Sequence, residues 1–553
     1  MTKRRILTEM KATDRPETVF FNGKIVTLDA SDGIASAVAL KGGLIAAVGS
    51  NEEVKRIAGS GARLIDLKGK TMLPGFIDAH THLGPASFSF RYYVDARCPP
   101  NRSIGDILDR IRQRAVDLPE GEWIIANMNV FTDLKLAEKR FPTKQELDSV
   151  APKHPVLILA SAHTQIVNTC ALKLAGVTHK TPDPAGGKIE RDAASGEATG
   201  LLRECRKILP IPPVSCDRIK ESLKEMVPEY WVKQGFTTAC TFVDSMEMRC
   251  YQDLLNEGSL PLRIHAMPLD DLKRHEFLEG MFSLGIRPGF GNDWLKIGAV
   301  KIYTDGAFKG LSAATYGPYL NIDTDHYCGL FRRDPSTLND LVLRAHDAGV
   351  QICIHAIGEK AQDLALDAYE KALEKNPRPH RHRIEHLGNI MTHPERIRRA
   401  RAMEILPITT TQWLYAYGDF IELYLGPERK KHSFVLRSML DAGLRPANGS
   451  DCRGAEPLSI NPFFNIWCAV TRQTFFGNRL LPEEAISVKE GLRLYTTSAS
   501  YAGFEEDLKG SIEPGKLADM IVIDRDILAI PENQIKDIKV EMTVLDGKIV
   551  YQR

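Results

Sequence analysis

At 553 residues, of which 43% are apolar and 26% charged, the chain is too long for one small domain. It is ample for a globular core of about 250 residues with additions. Its 72 basic and 71 acidic residues nearly cancel and form no long single-sign block, which argues against nucleic acid or a membrane surface as partner and favours a small molecule.

The chain opens with MTKRRILTEMKATDRPE, which has no apolar core of signal-peptide length, and no later run reaches the ~20 apolar residues of a membrane span. A cytoplasmic protein is expected. The ten cysteines are scattered without a CxxC pair, so reduced thiols are expected rather than a disulfide framework or zinc ribbon. A homodimer is the expected assembly.

TVFFNGKIVTLD, AVALKGGLIAAVGS and RLIDLKGKTMLPG then alternate apolar and polar residues between Gly, Asn and Asp turns, which predicts short strands. GSIEPGKLADMIVIDRD and VEMTVLDGKIVYQR repeat that style at the other end. Because chain ends of compact domains often lie close together, residues 18–72 and 505–553 are expected to form one composite β-sandwich domain. Two unrelated β appendages are the alternative.

Between these ends, apolar strands alternate with helical stretches, the pattern of βα units around a parallel sheet. The candidates are GFIDAHTH, TTACTFVD, LRIHAMPL, GAVKIYTDG, QICIHAIG, HRIEHLG, ILPITTTQ and LRPANGSDC. Eight strands are what a closed (β/α)8 TIM-like barrel requires, so the expected class is α/β, with the barrel over 73–85 and 226–504. The first two strands stand much further apart than one helix and two loops need. Residues 86–225 are therefore expected to form an inserted subdomain with strands of its own at WIIANMNV and PVLILASAH. It leaves the barrel at the face where such folds place their chemistry, and it is placed to cover the pocket as a lid.

Polar residues gather at the strand ends of that face. In LPGFIDAHTHLG, His80 and His82 are two apart, so in a strand they share one face. His355 ends the fifth strand, His386 the sixth and Asp451 the eighth, while Lys301 and Asp305 lie on the fourth. A single strand-end histidine has an ordinary explanation as a hydrogen-bonded core residue. Four imidazoles and a carboxylate on one rim instead offer ligands of the kind zinc, iron and manganese accept.

PGFIDAHTH, IHAIG, IEHLG and GSDC resemble the metal-dependent amidohydrolase superfamily. HTQIVNTCAL, GGKIERDAASGEATGLLRE and VKIYTDG are similar to its YtcJ-like branch, which includes N-substituted formamide deformylases. The resemblance runs from about residue 18 to the end. It implies that His80, His82, His355, His386 and Asp451 are metal ligands or neighbours of one or two divalent ions, most plausibly zinc. It also implies that Lys301 is carbamylated on its amine and bridges two metals. Alternation agrees on one point, since Lys301, Tyr303 and Asp305 share a face; the alternative is an unmodified lysine paired with Asp305 or another carboxylate.

A divalent ion lowers the pKa of bound water from 15.7 to about 7 and polarises a carbonyl. Asp451 is then placed to take the water's proton and hand it to a departing amine, with His386 or His355 steadying the oxyanion. The expected reaction is hydrolysis of a non-peptide C–N bond in an amide, formamide or N-acyl amine. Ester or lactone hydrolysis, deamination, decarboxylation and a non-catalytic binding protein are the alternatives. His163, Asn168 and Asp305 are assigned to substrate binding, with a helix cap at TCALKLAG as the other reading of Asn168. GAFKGLSAATYGPY lacks the arginine often found there in related chains, which sets this substrate apart.

Overall fold

The computed structural model describes residues 15–160, 164–184, 187–270, 276–322, 326–453 and 457–553. Two parallel sheets form its centre. One runs in the order Leu295–Ile297, Arg263–Pro268, Phe236–Val243, Phe76–Thr81. The other runs Val300–Tyr303, Ile352–His355, Arg383–Glu385, Leu406–Thr409, Ala447–Asn448. Their strands are buried on both faces, as in ICIH and FTTACTFV, which is why they read as continuous apolar runs rather than as alternating ones.

The two sheets touch at both edges. Leu269 and Lys301 form a parallel bridge. At the opposite edge, the Asp451 N–H donates to the His80 carbonyl at 2.7 Å and the His82 N–H to the Cys452 carbonyl at 3.2 Å. Gly449 permits this second approach, because a Cβ there would stand 2.4 Å from the His80 nitrogen.

Helices follow the strands. Glu359–Lys375 buries Ala361, Ala365, Ala368, Tyr369 and Ala372, a stripe at helical spacing. Cys216–Tyr230 buries Ile219, Leu223 and Val227 and packs on Leu83–Tyr92. Cys216 is joined in a disulfide to Cys250 of the helix Ser245–Asn256, which corrects the expectation of reduced thiols throughout; the other eight cysteines are free. The partners are 34 residues apart in sequence and meet only through helix packing, so spacing gives no hint of the pair.

A six-stranded sheet holds strands from both ends of the chain, in the order Lys548–Gln552, Val540–Leu545, Met520–Ile523, Thr71–Pro74, Lys24–Val26, Ile34–Ala35. It shares a core of Phe20, Ile25, Val38, Met72, Met520 and Val544 with the sheet Leu44–Gly49, Ala37–Lys41, Thr18–Phe21, Arg63–Asp66. The buried Arg263 guanidinium reaches from the central sheets to Asp519 at 2.7 and 3.1 Å. Below the central strands, Glu505 accepts from Lys296 at 2.8 Å and lies 3.1 Å from Lys509.

Between Leu83–Tyr92 and Cys216–Tyr230 lies a further sheet, ordered Lys188–Arg191, Ala198–Arg203, Thr164–Val167, Val156–Leu159, Ile124–Asn127, Val94–Asp95. Its own core includes Ile107, Ile111, Leu147, Val156 and Ile158. No helix among the described residues is long and apolar enough to cross a membrane.

Candidate active site

His80 lies near the end of the strand Phe76–Thr81, His82 follows it at the start of the helix Leu83–Tyr92, and Asp451 follows Ala447–Asn448. Asp451 Oδ1 lies 3.2 Å from His80 Nε2 and 3.4 Å from His82 Nε2. One ligand atom from each residue falls within 4.8 Å of the others, a set able to hold a metal ion. The His80 ring centre is 4.9 Å from that of His386, which is 4.9 Å from that of His355. All four histidines and the aspartate are therefore brought together. His386 and Asp451 adopt positive φ, 75° and 45°, backbone that non-glycine residues hold only where the surroundings enforce it, often at functional sites.

Hydrogen bonds decide which imidazole nitrogens stay free. His80 Nδ1 contacts the Glu385 carboxylate, which leaves Nε2 toward Asp451. His355 Nε2 donates to the Gly306 carbonyl at 2.9 Å, which leaves Nδ1. His386 Nδ1 is buried with no hydrogen-bond partner. Free nitrogens on neutral rings, oriented by carboxylate or carbonyl partners behind them, are what metal ligation requires. Burial holds His82 and His386 well below the usual histidine range and His355 at about 3, so the rings are neutral near pH 7. Burial alone would push Asp451 up, but His80, His82 and His386 hold it well below the usual carboxylate range.

Beneath the rim are supports that the sequence did not single out. Arg383 and Glu385 sit two apart on one strand and form a buried ion pair, with Nε to Oε1 at 2.8 Å and Nη2 to Oε2 at 3.0 Å. Arg383 also donates to the Ala79 carbonyl at 2.7 Å. Burial opposes the charge on Glu385, yet Arg383 and His80 hold it down at about 2. Asp78 points away from the ligands and accepts from the Ser450 N–H at 2.8 Å, the Ser450 hydroxyl at 2.7 Å and the Trp231 indole at 3.0 Å. It ties the first strand to the last. Glu385 was visible only as the residue before His386 in IEHLG, and a partner's role behind a ligand has no spacing of its own.

The Lys301 amine is wholly buried and has no hydrogen-bond partner. It stands 4.1 Å from the Phe242 ring centre and 5.0 Å from that of Tyr303. Asp305 is not its partner, because that carboxylate accepts from the amides of Ala314 at 2.9 Å, Gly358 at 2.8 Å and Ile357 at 3.2 Å. Burial raises Asp305 to about 7 despite these bonds. Fully buried, it anchors the loop after its strand. Asn168 caps the helix Thr169–Leu174 through the Ala171 N–H, accepts from Val156 and donates to Ala151 and His154 carbonyls, so both ends of its amide are engaged among the described residues of the insertion. His163 lies outside the described residues.

The walls above the ligands are aromatic. Trp413 stacks on His386 with ring centres 4.6 Å apart, and Tyr417 follows at 5.1 Å. Phe131, carried by the inserted segment, lies 4.5 Å from Phe420 and 6.2 Å from Phe308, so the insertion approaches the ligand face through Phe131. Tyr303 lies 4.9 Å from His355. These rings lie in loops and helices after the strands, where a sequence shows apolar residues but not which of them turn inward.

A model of the Amidohydrolase family matches residues 63–551. The chain is 31% identical to the N-substituted formamide deformylase of Arthrobacter pascens, over 98% of this chain and 99% of that protein. It is 30% identical to YtcJ of Bacillus subtilis (strain 168), over 97% of this chain and 100% of that one. Among solved structures, an uncharacterized metal-dependent hydrolase from Pyrococcus horikoshii OT3 has a TM-score of 0.73 at 24% identity, covering 93% of this chain and 99% of that one, which shows a shared α/β fold. The strand-end histidines thus sit in a chain that matches one family across most of its length: it belongs to the amidohydrolase family.

Proposed function

We infer that the chain is a metal-dependent hydrolase of a non-peptide C–N bond, with a formamide or other N-acyl amine as substrate. The observation that carries this is the convergence of one ligand atom each from His80, His82 and Asp451 within 4.8 Å, in a chain related over nearly its whole length to a protein named for formamide deformylation. The two parallel sheets and their two edge contacts support a (β/α)8 barrel over 73–85 and 226–504. The shared terminal sheet supports a composite β domain over 18–72 and 505–553, and the separate core of the insertion supports a subdomain over 86–225.

The ligand set fits a divalent ion, most plausibly zinc: His80, His82 and Asp451 would hold it, with His355 and His386 facing the same space. Nitrogen ligands with a carboxylate suit zinc and related metals. A fully buried lysine amine with no hydrogen-bond partner among the described residues is costly, and its carbamate would supply an anionic oxygen. We therefore propose that Lys301 is carbamylated and that its carbamate would join the residues holding the metal. When bound, the metal supplies Lewis acidity, which makes water a usable nucleophile near neutral pH and polarises a carbonyl.

The residues do the rest. Asp451 accepts the proton of the attacking water and returns it to the leaving nitrogen, which must be protonated to depart. Glu385 fixes the tautomer of His80, and His386, held flat against Trp413, faces the carbonyl oxygen. The buried aromatic walls limit competing water. Metal analysis together with a screen of N-formyl and N-acyl amines tests this function; bound metal with no turnover on such a panel would argue for a binding protein.

A further inference from the structure

The rim of the site carries two guanidinium groups that form no direct ion pair with a carboxylate among the described residues. Arg453, two residues beyond Asp451, is exposed, and among the described residues it makes one hydrogen bond, from Nη2 to the Tyr303 hydroxyl at 3.1 Å. Arg332 is exposed as well, with its guanidinium carbon 5.1 Å from the centre of the same Tyr303 ring. The Arg332 backbone is pinned beside the Lys301 strand by its N–H to the Thr304 carbonyl at 2.8 Å. Tyr303 in turn packs against His355 with ring centres 4.9 Å apart.

Several arginines elsewhere in the fold are paired with carboxylates. Arg333, next in sequence to Arg332, pairs with Asp270 at 2.7 Å, and Arg263, Arg383 and Arg396 have carboxylates at 2.7 to 2.8 Å. Two cations arranged around one phenol beside the ligand set, neither in a direct ion pair with a carboxylate among the described residues, leave their forks open to an anion. The planar fork of arginine suits a carboxylate, which it can hold by two parallel bonds.

We propose that Arg453, oriented by Tyr303 and assisted by Arg332, binds a carboxylate on the amine side of the substrate. The favoured substrates are then N-formyl or N-acyl amino acids rather than neutral amides. The amine side follows from sequence proximity: Arg453 is two residues from Asp451, the group assigned to protonate the departing nitrogen. The proposal rests on the C–N hydrolase function above.

The test compares N-formylphenylalanine, in both enantiomers, with N-formylphenethylamine, which has the same skeleton without the carboxylate. The metal-loaded wild-type protein should favour one enantiomer of the acid by at least about tenfold in kcat/KM, since bonds to a charged group are the stronger class. Arg453→Gln should lower kcat/KM for the acid at least about tenfold more than for the neutral amide, mainly through KM, with Arg453→Lys recovering part of the loss. Arg332→Gln should show a smaller loss in the same direction. Equal losses on both substrates, or a wild-type preference for the neutral amide, overturn the proposal.

Calorimetric titration with 3-phenylpropanoate separates this proposal from the hydrolase function. Weaker binding to Arg453→Gln than to the wild type supports the anion site even if neither amide is cleaved. Equal binding to both proteins, as expected if the carboxylate meets only metal, overturns it.

Discussion

Asp451 is tied to His80 twice, through its backbone N–H to the His80 carbonyl at 2.7 Å and through Oδ1, 3.2 Å from His80 Nε2. The backbone contact positions the carboxylate without help from its side chain. Asp451→Asn should therefore keep the shape of the loop and most of the bound metal while losing the basic oxygen. Turnover should fall by about 10²–10⁴-fold, the usual contribution of a general acid–base group. Metal content and kcat measured on one preparation check this; near-normal turnover with metal retained would pass the proton role to another group such as His386.

Glu385→Gln removes the charge behind His80 Nδ1 and from the Arg383 ion pair. Loss of a carboxylate behind a metal-binding histidine typically weakens metal affinity by about 10–100-fold. The buried Arg383 charge is left uncompensated, so unfolding stability should fall by about 3–5 kcal/mol. Metal titration and urea unfolding read the two effects separately. Unchanged metal affinity would mean that Glu385 serves Arg383 alone.

Two histidines remote from the ligand set predict the response to acid. Burial lowers His265 and His380 from 6.5 to about 4. A group with a depressed folded pKa takes up its proton first in the unfolded chain, so stability is lost as pH falls from 6.5 and that loss is complete near 4. Each contributes on the order of a few kcal/mol. Glu505, held at about 2 by Lys509, His265 and Lys296 against its own burial, extends the loss from 4.5 downward, since unfolded Glu protonates before the folded one does. Urea unfolding free energies at pH 7, 5.5 and 4 should decrease in that order; a flat profile above pH 5 would contradict neutral burial of these rings.

Removing residues 520–553 deletes the three strands beside Thr71–Pro74. Hydrogen exchange should then accelerate at Thr71–Pro74 and Lys24–Val26, because short strand pairs are marginal alone. Retained protection there would show that the N-terminal strands form a unit of their own.

Asp519→Ala tests the link between that sheet and the central strands. It leaves the Arg263 guanidinium buried without its bidentate partner, and a destabilisation of about 3–5 kcal/mol is expected. Thermal unfolding with metal content monitored distinguishes this from damage at the site.

The parallel strands were legible because burial on both faces writes uninterrupted apolar runs, and His80, His82, His355, His386 and Asp451 were legible because each ends such a run. The surroundings of Asp305 were not legible. Sharing a face with Lys301 says nothing about which partner a carboxylate finds, and three backbone amides took it. For Asn168 the capping alternative was written in the sequence, directly before TCAL, and the cap is formed. Glu385, Trp413 and Arg453 act through neighbours brought in from distant segments, and the Cys216–Cys250 pair joins two helices. Contacts of that kind have no periodicity to read.

Thr71–Pro74 sits mid-sheet with Lys24–Val26 on one side and Met520–Ile523 on the other. A chain made from its N-terminus therefore presents that strand half-paired while the metal-binding strands are still being synthesised. Its second partner, Met520–Ile523, is made only after all of those strands. Domains usually fold as units during synthesis, and unpaired edges invite aggregation. Here Thr71–Pro74 is completed only after the central strands, so the yield of folded protein should depend on how long that edge is shielded, and slower synthesis in the cold or a chaperone that covers extended segments should raise it.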